Sequence, residues 1–262
     1  MYQILTISRY TLLEARRAHL PLLFACAIGA VLASAAFASE LAVIEGLRMQ
    51  TAFYAAGIRL AVVFIMAAHV IASVTREFDD KGLDMLLALD LPRAHYILGK
   101  LCGFLAAGAV VGLIACVPLL LTAPASAALQ WGIALSLELA VVIAFALFCV
   151  VAFGQFMPSA AMVLAFYMLA RSITTIRLMS AHPVSGGDTL SHAVSRWLIE
   201  GLALLLPAFM ATSILGQFRP GQALYHGWYF LPISAILMIA TIAMLAACAI
   251  RLAVDAAERM AR

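Results

Sequence analysis

The sequence predicts an all-α, polytopic integral membrane protein with six transmembrane helices, and three observations carry that expectation. The 262 residues are 66% hydrophobic and only 11% charged, with a mean hydropathy of +1.08. A chain of this length facing water needs roughly a quarter of its residues charged, so most of this surface faces hydrocarbon. Charge-free stretches also recur at membrane length. Residues 20–39, 201–218 and 227–250 hold no charge, and between Leu101 and Ala170 Glu138 stands alone. Such runs of about 20 apolar residues match a hydrocarbon core of roughly 30 Å. Finally, the dense charge is gathered in one run between Arg76 and Lys100, with apolar sequence on both sides.

Residues 1–19 have helix-forming composition and mixed charge, and they predict a cytoplasmic helix lying at the membrane interface. The small residues of Ser34–Ser39 look like a signal-peptidase site. The apolar stretch before them is about 20 residues long rather than 7–15, and a polar segment with Glu14 precedes it, so an uncleaved first span is expected. Six spans follow, at about 20–40, 53–75, 97–121, 129–151, 158–179 and 228–251, within a transmembrane domain over 20–252. A cytoplasmic tail, 253–262, ends the chain. Arg9, Arg16, Arg17, Arg76, Lys81, Arg93, Lys100, Arg251, Arg259 and Arg262 fall on one side of this arrangement, against Arg48, Arg196 and Arg219 on the other. The excess of basic residues marks the cytoplasmic face, which puts both termini and the 76–100 run inside the cell.

The connection from 180 to 227 begins with loop residues and turns apolar again from Trp197 to Phe218, interrupted by Pro207. A seventh crossing there would carry Arg251, Arg259 and Arg262 outside. A re-entrant helical hairpin at about 192–218, dipping in from the outer face, keeps the charge rule intact. Because Pro207 frees backbone groups that lipid cannot satisfy, that hairpin must sit against protein or a water-filled cavity.

Several functions are excluded by composition and motif. The net charge of +3 comes from basic residues scattered among loops, so no nucleic-acid partner is expected. Cys26, Cys102, Cys116, Cys149 and Cys248 all lie in apolar spans without C-x-x-C spacing, and they read as small buried hydrophobes rather than a disulfide or zinc framework. His182, His192 and His226 lack ligand spacing, so no metal site is expected. Neither H-E-x-x-H nor G-x-S-x-G occurs, which leaves a membrane protease or lipase without support and predicts a non-enzymatic chain.

The polar segment between spans two and three has the clearest internal pattern. Leu83, Leu86 and Leu87 stand at i, i+3 and i+4, forming an apolar stripe, with Asp80 and Asp84 on an adjoining face. Gly82 permits a bend where the chain leaves the membrane, and Pro92 ends the short helix before the next begins. A cytosolic amphipathic helix over 77–91, tethered at both ends by membrane helices, is a means of transmitting force; an ordinary loop with some helix is the plainer alternative.

Glu77, Gly82, Leu83, Leu86, Leu87, Arg93 and Lys100 resemble, in type and order, the signature of the ABC-2 type family of ATP-binding-cassette transporter permeases. That signature runs roughly E-x-x-x-G-T-L-x-x-L-L-x-x-P-x-S-R, followed seven residues later by K. Here four residues separate Glu77 from Gly82, Asp90 stands at the usual proline and Pro92 at the serine. The layout is similar too: an interfacial N-terminal helix, six spans, a polar helix between spans two and three, and an outer hairpin before the last span. The resemblance implies a bacterial inner-membrane permease subunit, an exporter whose 77–91 segment is a coupling helix docking into an ATPase, with Lys81 among the contacting residues. No G-x-x-x-x-G-K-[ST] loop surrounds Gly99-Lys100, and the chain has no room for a nucleotide-binding domain. ATP and Mg would therefore be bound by two copies of a separate ATPase subunit, and a second permease, most simply another copy of this chain, would complete the pathway. The rival class is a motorless membrane protein such as a secondary carrier or assembly scaffold. Secondary carriers commonly show inverted repeats, and none is visible between the halves here.

Ionisable groups within spans are costly and mark sites of packing or function. Glu138 lies about ten residues into span four from the outside, Arg171 about eight from the outer end of span five, and Arg59 near the outer third of span two. Their similar depth allows an ion pair that locks packing or a polar patch along a substrate path. His69, in mid-span, reads as a hydrogen-bonded packing residue. Tyr225, Trp228 and Tyr229 read as interfacial anchors.

Overall fold

The computed structural model describes residues 2–41, 46–79, 93–180 and 247, and every element among them is helical. In order these are α1 (Tyr2–Arg17), α2 (Leu20–Glu40), α3 (Gly46–Asp79), α4 (Arg93–Ala115), the single turn α5 (Leu119–Thr122), α6 (Ala125–Phe153) and α7 (Phe156–Ser180). Four stretches are long and apolar enough to cross a bilayer: Leu20–Glu40, Gly46–Asp79, Ala94–Thr122 and Ala125–Phe153. The apolar part of α7, Phe156–Ser172, is shorter. The protein is a membrane-embedded, multi-pass helical protein. Lys81, Gly82, Leu83, Leu86 and Leu87, the hairpin at about 192–218 with Trp197 and Pro207, the sixth span at 228–251 and the tail at 253–262 lie outside the described residues.

Helix ends differ from span ends, for a physical reason. The second span was expected at 53–75, yet α3 runs from Gly46 to Asp79, 34 residues. Hydropathy marks where lipid stops, whereas Arg48, Met49 and Gln50 at one end and Arg76 and Glu77 at the other are good helix formers that prolong the helix. Glu77 therefore sits in the last turn of α3 rather than opening a separate helix. The third span, expected over 97–121, is interrupted after Ala115. Pro118 has no N–H to offer the Ile114 carbonyl, which instead accepts from Val117 N–H at 3.1 Å, and Leu119 N–H turns to Cys116 O at 3.0 Å. At the end of α6, Gly154 takes φ +64°, its N–H capping Val150 O at 2.8 Å, so that α7 can fold back.

The core is built around α6, whose Leu135, Leu139, Val142, Ile143, Ala146 and Val150 are all buried. It packs on α3, α4 and α7. Phe145 stacks on Phe166 of α7 with centroids 4.1 Å apart, and Phe64 of α3 meets Tyr167 edge-on at 6.1 Å. In lipid, close helix contact comes from small residues rather than from hydrophobic driving force. On α4, Gly99 and Gly103 face α1, while Gly108 and Gly112 face α6. A Cβ added at Gly103 would lie 2.7 Å from Thr11 Cβ and 3.0 Å from Ser8 O, so only glycine lets α1 seat against α4. The terminal helix is thus docked on the bundle through Thr11 and Ala15, with Arg9, Arg16 and Arg17 exposed.

Composition alone overstates burial of the cysteines. Cys116 and Cys149 are buried as expected, but Cys26 and Cys102 are exposed on the outward faces of α2 and α4. An apolar helix facing lipid has the same composition as one facing protein, and only α6 is apolar because it is enclosed.

Candidate functional site

The described residues hold two polar clusters. One lies at the adjoining ends of α3 and α4, where the chain departs into 80–92 and returns from it. Lys100, one helical turn beyond Tyr96 on α4, points inward with its side chain only 2% exposed. Its Nζ lies 2.5 Å from Glu77 Oε1 on α3 and donates to Glu14 Oε2 on α1 at 3.1 Å. Glu14 Oε1 accepts from Ser73 Oγ at 2.8 Å, and Glu77 Oε2 accepts from the Tyr96 hydroxyl. All four carboxylate oxygens are therefore partnered. Below the ammonium, the Phe104 ring centroid is 5.6 Å away, close enough for cation–π attraction. His69 meets the same ring edge-on at 6.0 Å. Its Nε2 has no hydrogen-bond partner among the described residues, and the ring packs against Phe104.

This cluster joins the first and last residues of the sequence signature. Glu77 and Lys100, 23 positions apart in the chain, form an ion pair because α3 and α4 return to the same level. Arg93 opens α4. Sequence reasoning missed Glu14, Ser73 and Tyr96 as members. Glu14 carried a signal, being the sole acidic residue in the first 39.

The second cluster lies within the spans, between α3, α6 and α7. Arg59 Nε stands 3.2 Å from Glu138 Oε2, with side chains 4% and 1% exposed. The Trp131 ring lies under the guanidinium at 5.6 Å. Tyr167, one turn before Arg171 on α7, is buried within electrostatic reach of Glu138, Arg171 and Arg59. The depth argument from sequence thus corresponds to a real contact for Arg59 and Glu138, and Arg171 joins the group by way of Tyr167. The contact is an ion pair by distance, but its alignment falls short of a hydrogen bond. By strict alignment Arg59 Nε and Nη2 make no hydrogen bond among the described residues, and Glu138 is left with the ion pair and the neighbouring Tyr167 hydroxyl.

Among the described residues no three His, Cys, Asp or Glu side chains converge as metal ligands. Compared with known families and with curated proteins, the chain matches no family model and no curated relative.

Proposed function

We propose that this chain is the membrane permease subunit of an ATP-driven transporter, an exporter of the bacterial inner membrane that takes its energy from a separate ATPase bound at residues 77–91. The observation that carries the reading is the Glu77–Lys100 ion pair. It ties the ends of α3 and α4 together on either side of 80–92, so a push on that segment is delivered to two membrane helices as a unit. Lys100 then acts within the membrane subunit as a strut, because a side chain 2% exposed cannot also reach a partner protein. Through Glu14 the strut also includes α1. The Leu83, Leu86 and Leu87 stripe supplies the apolar face that the ATPase groove would hold. Six spans, cytoplasmic termini and a homodimer with two ATPase copies complete the arrangement; differential affinity of the segment for open and closed ATPase dimers biases the two access states.

Co-purification tests it. Tagged permease in mild detergent is expected to recover a P-loop ATPase, and the triple substitution Leu83→Ser, Leu86→Ser, Leu87→Ser is expected to release that ATPase while the permease keeps its elution volume. Each leucine buried in a groove contributes about 2 kcal/mol. Recovery of no ATPase by the unaltered chain favours the carrier or scaffold class, and unchanged recovery by the triple variant removes this stripe from the interface.

A further inference from the structure

α2 packs along α3 yet scarcely touches α4. The space between α2 and α4 is a half-open apolar crevice of about 300 Å³, at the lower end of pockets that accept small ligands. Leu20, Phe24 and Ile28 form one wall, Val111 and Ile114 the other, and Val62 of α3 the floor. From Leu20 to Ile28 the wall is about 12 Å long at 1.5 Å per residue. That is close to the depth of one leaflet, half of a core about 30 Å thick.

The crevice is apolar throughout except at one place. Arg16, at the end of α1, is the single charged residue lining it. Arg17 follows, both are exposed, and neither has an ion-pair partner among the described residues. They stand directly before Leu20, where the first candidate span begins, which is headgroup level. The one nearby acid on α1, Glu14, is already committed to Lys100 and Ser73. Unpaired positive charge at headgroup level, above an apolar slot one leaflet deep, is complementary to a single molecule of the bilayer itself.

We propose that the crevice is a binding site for one anionic glycerophospholipid, with an acyl chain between α2 and α4 and the phosphate held by Arg16 and Arg17. The occupant joins α2, which otherwise packs mainly on α3, to α4. This site is independent of the transport reading and holds whether or not an ATPase partner exists.

Native mass spectrometry of the full chain, released from detergent after exchange into defined mixtures of phosphatidylglycerol and phosphatidylcholine, tests the proposal. One phosphatidylglycerol is expected to persist on each chain. Arg16→Gln with Arg17→Gln is expected to weaken its retention roughly ten- to thirty-fold, with phosphatidylcholine little changed, since each basic residue near a headgroup adds about a factor of five. Ala25→Phe, which fills the slot from an exposed alanine, is expected to expel both lipids alike. Circular dichroism and elution volume establish that each variant is folded, and Arg16→Lys with Arg17→Lys restores retention should the Gln pair fail to fold. Equal retention of the two lipids by the unaltered chain, or no loss in Ala25→Phe, overturns the proposal. So does finding the slot filled by another segment of this chain or by a second copy, seen as crosslinking of Ala25→Cys to protein in a Cys26→Ser background.

Discussion

The two polar clusters are built from the same kinds of side chain, but they are finished differently. At the ends of α3 and α4, one lysine serves two glutamates, and each of the four carboxylate oxygens has its own donor or cation. Within the spans, Arg59 and Glu138 meet at 3.2 Å, yet by strict alignment Arg59 Nε and Nη2 make no hydrogen bond among the described residues. A buried network that is fully satisfied fixes geometry; one that is partly satisfied retains capacity for another partner, whether water, substrate or a second arrangement of its own members. The helix-end cluster is therefore a structural joint, and the mid-span pair is the less completely satisfied of the two.

The joint is best broken at Lys100. In Lys100→Met the two glutamates remain side by side without their cation, and removal of one member of a buried ion network is expected to cost about 3–5 kcal/mol. Thermal unfolding in detergent should show it as the largest loss of any single change discussed. Adding Glu14→Gln and Glu77→Gln to Lys100→Met removes the stranded charges and is expected to recover most of that loss. A Lys100→Met protein as stable as the unaltered chain would mean that the cluster holds nothing together.

The mid-span pair should respond differently. Arg59→Met alone leaves Glu138 charged and enclosed, and is expected to lose about 3 kcal/mol. The double change Arg59→Met, Glu138→Leu replaces an imperfect pair by apolar side chains and is expected to fall within about 1 kcal/mol of the unaltered protein. This recovery distinguishes the clusters, because it would show that the pair adds no stability beyond what apolar packing supplies. If the double variant is as unstable as the single one, the pair is a packing element, and the contrast with the helix-end joint disappears.

Much of this was legible from the residues, and what was not has identifiable causes. Glu138 was visible as a lone charge in a long apolar stretch, and equal depth placed Arg59 near it, because a helix turns residue count into height. The direction of each side chain around its helix was not visible: α2 and α6 are both predominantly apolar, yet α6 is enclosed and α2 mostly faces outward. The helix-end joint escaped for a related reason. Glu14 meets Lys100 only because Gly99 and Gly103 let α1 lie against α4, and a pair of glycines four residues apart is informative only once the facing helix is known. The break before Pro118 follows from its missing N–H, but a span read from hydropathy runs straight through it.

The finest test of the comparison is Tyr96→Phe. The hydroxyl donates to Glu77 Oε2, while Glu77 Oε1 keeps Lys100. Its removal deletes one hydrogen bond without stranding a charge, since the ammonium still neutralises the carboxylate. A single hydrogen bond to a charged group contributes about 1.5 kcal/mol or somewhat more when it is buried, and half-buried Tyr96 should give a value nearer 1. For a domain of this size that corresponds to a fall of roughly 2–4 °C in Tm. The order Lys100→Met well above Tyr96→Phe is what a joint centred on the cation requires. If the two variants are equally destabilised, the tyrosine rather than the lysine organises the helix ends, and Glu14 would then belong to α1 packing rather than to the joint.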